Sequence, residues 1–270
     1  MIYALEERIG DPSLFCGRKQ EMELLLNWID RIKNKRAKSK ALLGRRKSGK
    51  SAIMERLFNV LWNRNDRIVP FYLEVQEKNI SMLEFASKSL NTLLTHYLSF
   101  LIRKPIPNKM IWDWDYLLST SEKINNTSIP ERIELFQKYY QLENEEEAIQ
   151  IAVATPYWLH GQDNHHFVIM LDEIQYMTKY IYKDKAEKIQ AYNLPGIYHG
   201  WVEHRVCPML VSGSYIGWMN QMMSEMFVAG RLKRTPISSS LTFDEGMTAV
   251  YNYAAHHHIK LTFDDLWYLF

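Results

Sequence analysis

The sequence predicts an α/β fold, a parallel sheet with helices on both faces. Three observations carry that prediction. Residues 42–52, LLGRRKSGKSA, set a glycine-rich turn between a short apolar run (41–43) and a stretch with apolar residues at helical spacing (53–61). Further apolar runs recur at 68–75 (IVPFYLEV), 167–171 (FVIML) and 207–211 (CPMLV), nearly continuous, as in strands buried on both faces. The run 167–171 ends in Asp172-Glu173, and the tips of parallel strands are where such sheets place their chemistry.

The elements follow in order. Residues 1–16 read as a leader with turn signals at Gly10, Asp11, Pro12 and Ser13. Residues 17–32 read as a helix, since Met22, Leu25, Leu26, Ile29 and Ile32 share one face. The basic segment 33–40, KNKRAKSK, leads to the first strand and is either a solvated connector or a contact for phosphate backbones. The helix after the glycine turn runs to about Asn63, and the strand 68–75 follows. Residues 81–98 form a helix, stopped by the prolines of Lys104-Pro105-Ile106-Pro107. In 108–129, Trp112 and Trp114 either pack into the domain or offer an aromatic surface to a partner. Residues 130–159 read as helical, interrupted at the acidic run 143–147 and again near Pro156. Helices are also expected at 195–204, 216–227, 243–256 and 262–270, with an edge strand near 235–241.

Composition excludes several classes. An apolar content of 47% in 270 residues supplies a core and argues against disorder. A net charge of +2 gives no global argument for nucleic acid or a membrane surface. The two cysteines, Cys16 and Cys207, have neither disulfide nor metal spacing, which fits a reducing compartment. The N-terminus carries acids and lacks the apolar core of a signal peptide, and no apolar run nears the ~20 residues of a membrane span. A cytoplasmic setting is expected.

The chemistry centres on G-x-x-x-x-G-K-[ST], here Gly44, Gly49, Lys50 and Ser51. Between strand and helix this pattern forms a phosphate-binding loop. Glycines let the backbone curl so that N–H groups face one anion, and the helix N-terminus adds partial positive charge. Gly44, Arg45, Arg46, Lys47, Ser48, Gly49, Lys50, Ser51 and Ala52 are the expected nucleotide contacts, with Lys50 on the β/γ-phosphates and Ser51 on Mg²⁺. Asp172 is expected to hold Mg²⁺ through its water shell, and Glu173 to orient and deprotonate the attacking water. The pair His165-His166 and the triplet His256-His257-His258 lack acid or cysteine partners at metal-site spacing, and Ser212-Gly213-Ser214 lacks the G-x-S-x-G of a hydrolase elbow.

Five boxes in order, FCGRKQEMELLLNW (15–28), LLGRRKSGKS (42–51), VIMLDEIQYM (168–177), MLVSGSYIGWM (209–219) and AGR (229–231), resemble the archaeal-type ATPases of the signal-transduction (STAND) branch of AAA+ P-loop NTPases. The resemblance spans about 13–241. It implies a three-layer P-loop NTPase fold of the AAA+/ASCE type with sheet order 5-1-4-3-2. It also implies that Phe15, Gly17 and Arg18, with Glu21, help hold the adenine, and that Ser212 senses the γ-phosphate. Arg231 then takes the place of an arginine finger, acting on a neighbour's nucleotide or serving as a structural salt bridge.

The implied organisation is an ATPase core over 1–241, with a helical insertion at about 76–165 between the second and third strands. A helical lid is expected to begin at 242–270 and to be cut short. ATP or ADP and Mg²⁺ are the implied ligands, and a protein partner or self-association is implied. The leading expectation is an ATP-hydrolysing molecular switch. The alternatives are a non-hydrolysing nucleotide-binding interaction module and an AAA+ regulator acting on DNA.

Overall fold

The computed structural model describes residues 1–184, 186–227 and 230–262. Its centre is a sheet of β1 (Lys40–Leu43), β2 (Ile68–Glu74), β3 (His166–Asp172), β4 (Met209–Gly213) and β5 (Lys233–Pro236). The strands lie in the order β2-β3-β4-β1-β5 and every pairing is parallel. Read from the other edge this is 5-1-4-3-2, the expected order. Residues of β4 are buried whichever way they point, and those of β3 are too from Phe167 onward, so helices cover both faces. β2 carries Pro70, which cannot donate to a ladder and is tolerated because β2 is an edge strand.

Eight helices of eight residues or more flank the sheet among the described residues. They are α1 (Lys19–Ile29), α2 (Lys50–Arg64), α3 (Met82–Ile102), α4 (Trp114–Lys123), α5 (Ser128–Gln141), α6 (Glu145–Asp163), α7 (Ile216–Glu225) and α8 (Phe243–His256). Reciprocal capping boxes start α3 (Ser81 with Glu84) and α8 (Thr242 with Glu245), which fixes where those helices begin. β2 packs against α2 and α3, β3 against α6, and α3 and α6 against each other. Part of the segment between β2 and β3 therefore lies directly on the sheet. A second, small sheet joins Ile80–Ser81, Ile181–Asp184 and Ile189–Gln190. No helix among the described residues is long and apolar enough to cross a membrane.

Several expectations are corrected. Pro156 does not interrupt α6, because the face bearing Ala148, Ile149, Ala152, Thr155, Pro156 and Leu159 is buried and packing offsets the lost hydrogen bond. The helix expected at 195–204 is one turn, Leu194–Ile197, followed by turns. The last strand is Lys233–Pro236, because its partner β1 is only four residues long and fixes its reach. Trp112 is buried beside Tyr116, and Trp114 lies near Phe136, so these rings pack inward. Of the stretch expected as a helix at 262–270, residues 263–270 lie outside the described residues.

The leader is fastened along α2. Asn59 accepts from Leu5 N and donates to Leu5 O, both at 2.8 Å, and Arg56 forks onto the buried carboxylate of Glu7. The turn signals become a 3-10 turn, Pro12–Leu14, capped by Asp11. A fastened leader brings Arg8 to the strand tips.

Candidate functional site

The glycine loop leaves the tip of β1 and α2 begins at Lys50, with Gly49 at its N-cap in the left-handed region (φ 82°). Lys47 is also left-handed at φ 65°. Gly44 matters for a different reason. A Cβ there would stand 2.7 Å from Ser48 Oγ, so a side chain would force that hydroxyl to turn away. Lys50 is buried and its ammonium donates to the carbonyls of Gly44 (3.1 Å) and Arg45 (3.0 Å). Burial pulls the Lys50 pKa down, and the charges of Glu173 and Asp172 act against that. Those two backbone bonds hold the ammonium over the loop's hollow, where an anion would meet it. Ser48 Oγ is buried without a partner in the same turn.

The two acids sit on the neighbouring tip but one. Asp172 is fully buried. Its Oδ1 accepts from the Ser212 hydroxyl and from Glu173 N (3.0 Å), and its Oδ2 accepts from the Tyr72 hydroxyl (3.0 Å). Burial first, then the charges of Asp172, Glu55 and Glu74, hold the Tyr72 phenol well above its ordinary pKa, so it stays a donor. Glu173 is left-handed at φ 54°, an uncommon state for a residue with a side chain that turns its carboxylate out of the strand line. That carboxylate accepts from Ser214 Oγ at 2.5 Å and from Gln175 Nε2.

A cleft of about 590 Å³ joins these parts, lined by the loop from Arg46 to Ala52, by Glu173 and Ser214, and by Glu74 and Arg8. Of the expected contacts, Arg46, Lys47, Ser48, Gly49, Lys50, Ser51 and Ala52 line it directly, and Gly44 and Arg45 shape the loop beneath. Asp172 and Ser212 do not line it; both are fully buried at their strand tips and bonded to each other. Arg18 braces the loop from outside. Its guanidinium donates to Ser48 O (3.0 Å) and Ser238 O (3.1 Å) and pairs with Glu21 (3.0 Å). Gly17 is left-handed at φ 68° and packs on Glu245 at the start of α8. Phe15 lies under the Arg56 guanidinium, 4.1 Å from its ring centroid. Arg231 is away from the cleft of its own chain. Its Nε lies 2.9 Å from Glu203 Oε1 and its guanidinium meets the His199 ring. Ala229 of the last box lies outside the described residues.

Sequence reasoning missed three side chains. Arg8 Nη2 lies 3.1 Å from Glu74 Oε2, 3.2 Å from Tyr72 Oη and 3.8 Å from Asp172 Oδ2. Nothing near Arg8 in the sequence signals this, because the placement depends on the leader's path along α2. Glu74 was findable. It ends the second strand, and its register partner is Asp172. Ser214, just beyond β4, had no signal beyond its place after an apolar run.

The donor set fits a nucleotide with a divalent cation. A glycine-shaped loop, a lysine aimed into its hollow, an unpartnered buried hydroxyl and a carboxylate pair supply what phosphates and a hard cation need. No group of three or more His, Cys, Asp or Glu among the described residues could hold a metal ion.

No family model matches the chain, and no curated protein matches it. Solved structures do. The Orc1 protein of Aeropyrum pernix in complex with DNA aligns over 91% of this chain and 51% of its own, at 11% identity and a TM-score of 0.54. The ADP form of the Orc2 protein of Aeropyrum pernix aligns over 91% of this chain and 54% of its own, at 13% identity and a TM-score of 0.50. The chain spans about half the length of these structures. Sheet order, loop position and these likenesses define the fold as the AAA+ type of P-loop domain.

Proposed function

We propose that the chain binds ATP and Mg²⁺ and hydrolyses ATP as a nucleotide-dependent switch of the STAND branch, in the cytoplasm. The observation that supports this best is that the Lys50 loop and Glu173 line one cleft, with Asp172 buried next to Glu173 at the same strand tip. Lys50 is the cation for the β/γ-phosphates, freed from the carbonyls of Gly44 and Arg45 as an anion enters. Ser51 and Asp172 would hold Mg²⁺, which supplies charge neutralisation to the transferring phosphoryl group. Glu173, steadied by Ser214 and Gln175, takes the proton of the attacking water. Ser212, bonded to Asp172, aligns that carboxylate and reports on the γ-phosphate beside it. Phe15, Gly17 and Arg18 close the adenine side. Residues 1–241 form the core, α3 and α6 of the segment 76–165 lie on the sheet while α4 and α5 between them are the specialising insertion and a face for a protein partner, and a lid starts at 242.

Arg231 acts on a neighbouring subunit's nucleotide in this reading, since it stands outside its own cleft with Glu203 holding it. Glu173→Gln should keep nucleotide binding and lose hydrolysis by roughly a hundredfold or more. Mixing Glu173→Gln with Arg231→Ala protein should restore turnover, because some mixed interfaces join an intact Glu173 to an intact Arg231. Parent-rate turnover by Glu173→Gln would remove the assigned base. A dead mixture of co-assembled variants would confine Arg231 to its ion pair. Tight ATP binding without turnover in the parent would favour the non-hydrolysing module.

A further inference from the structure

Basic side chains also converge at the opposite end of the sheet. β1 begins at Lys40 and β5 at Lys233, and these two are register partners. A cavity of about 660 Å³ opens there between one face of α1 and the edge strand β5. Three segments bring cations to it. Arg31 follows α1, Arg36 and Lys38 come from the linker, and Lys40, Lys233 and Arg234 come from the strands. Glu23 is the sole acid among the described residues that line it. None of the six cations has a carboxylate within ion-pair distance among the described residues, whereas nearby Lys33 and Arg64 do find acids, Asp66 and Asp30.

Exposed cations without partners are ordinary, but Lys40 is not exposed. It is 6% accessible, and its ammonium lies 5.9 Å from the Trp28 ring centroid. Burial first, then Lys233 and Arg31, lower its pKa. With its stem buried and its ammonium held at the cavity wall facing further cations and no carboxylate, Lys40 is repelled in the free chain, and an anion in the cavity removes that repulsion. The trough is also long. α1 lines it from Gln20 past its last turn, roughly 15 Å at ~1.5 Å per residue, the axial span of about four phosphates of one nucleic-acid strand at ~3.4 Å each.

We propose that this trough is a second anion site, separate from the nucleotide cleft, that takes a row of phosphates. The row belongs to a nucleic-acid strand or to a free oligophosphate, and the chemistry of recognition is the same. Lys40 is the fixed point, and the five exposed cations track the row.

The test uses the whole chain, labelled single-stranded and duplex oligonucleotides, and inorganic tripolyphosphate. Binding is read by fluorescence anisotropy across salt concentrations, and tripolyphosphate binding by the shift in melting temperature. Arg36→Gln with Lys38→Gln, and separately Lys233→Gln with Arg234→Gln, are exposed changes that leave the cleft intact. Each pair should weaken binding about tenfold or more at ~0.1 M salt and lower the slope of log K against log salt by about 2. ATP affinity should not move. Lys40→Met should weaken phosphate binding and raise the melting temperature of the free chain, whereas a lysine that merely supports the fold would lower it. Variant-sensitive oligonucleotide binding identifies nucleic acid. Variant-sensitive stabilisation by tripolyphosphate without oligonucleotide binding identifies a free oligophosphate. The proposal is overturned if neither probe binds, or if binding and slope are unchanged in all three variants.

Discussion

The two ends of β1 both gather cations and differ in how far acids offset them. At the C-terminal end, Arg8, Arg46, Lys47 and Lys50 share the cleft with Glu74, Glu77 and Glu173, and Asp172 is buried close by, so the cleft is close to balanced. At the N-terminal end, six cations meet one acid. The strand is four residues long, so its first and last Cα atoms lie only ~10 Å apart. A balanced cleft suits an anion that arrives with its own cation, as a nucleotide does with Mg²⁺. An unbalanced trough suits an anion alone. The net charge of +2 reports the average of these regions and describes neither.

The largest expected effect breaks one end without touching the other. Lys50→Ala should abolish ATP binding, by a thousandfold or more, while the chain stays folded and phosphate binding in the trough persists. Lys50 supplies a charge at the loop and no volume to the apolar core, so folding should survive its loss. Isothermal titration and circular dichroism on the same preparation decide. Unchanged ATP affinity would remove the loop from the site.

Much of this division was legible beforehand. The loop and the Asp172–Glu173 tip follow from local pattern, because glycine placement, apolar runs and strand tips are encoded within a few consecutive residues, whereas the strand order came from the family resemblance alone. Arg8 was not legible. It reaches the cleft because Asn59 and Arg56 on α2 grip Leu5 and Glu7, and those contacts join residues about fifty positions apart. The trough was half legible. The basic run 33–40 stood out, but its alignment with Lys233 and Arg234 depends on the register of β5 against β1. Pro156 misled for the opposite reason, since a local breaker was overruled by burial that no short window contains.

The next effect tests whether cations at the cleft are structural partners. Glu55 is fully buried, and it accepts Arg8 N (2.8 Å), Arg8 Nε (3.2 Å) and Lys109 Nζ (2.6 Å). Arg8→Ala strips one of its two cations and should destabilise the chain by about 3 kcal/mol, the lower end for a broken buried pair, because Arg8 is partly exposed and Lys109 remains. Urea unfolding reads it. A loss below about 1 kcal/mol would show that Lys109 alone satisfies Glu55.

Between the two ends lies a group that is neutral until acid charges it. His96 packs between Phe58 and Phe71 and accepts Tyr72 N at 3.3 Å, so its ring must stay unprotonated. Burial lowers its pKa from 6.5 to about 3. The unfolded chain then binds the extra proton first, so the stability tied to neutral His96 is full above pH 6.5 and is lost as pH falls toward 3. At pH 5 that amounts to about 2 kcal/mol, from ~1.36 kcal/mol per pH unit. His96→Asn keeps an acceptor and cannot titrate there, so its stability between pH 7 and 5 should fall less steeply than the parent's. Parallel pH profiles would show that His96 does not carry the acid sensitivity.

The smallest effect is the most direct test of the comparison, because it turns on a sign. Removing a cation from the balanced end should destabilise the chain, and removing one from the unbalanced end should not. Arg36 and Arg234 are exposed, lack carboxylate partners among the described residues, and share the trough with four other cations. Arg36→Gln and Arg234→Gln should therefore leave stability unchanged or raise it slightly, by a few tenths of a kcal/mol at most. The gain should be measurable at low ionic strength, where repulsion reaches across the trough, and should vanish near 1 M salt, where screening shortens its range to ~3 Å. Arg8→Ala should keep most of its penalty at both salt concentrations, because Glu55 is buried and poorly screened. Urea midpoints of the three variants, each at two salt concentrations, contain the whole test. If Arg36→Gln and Arg234→Gln weaken the fold at both concentrations, the trough cations act through packing of their stems, and the two ends of the sheet differ in shape rather than in charge.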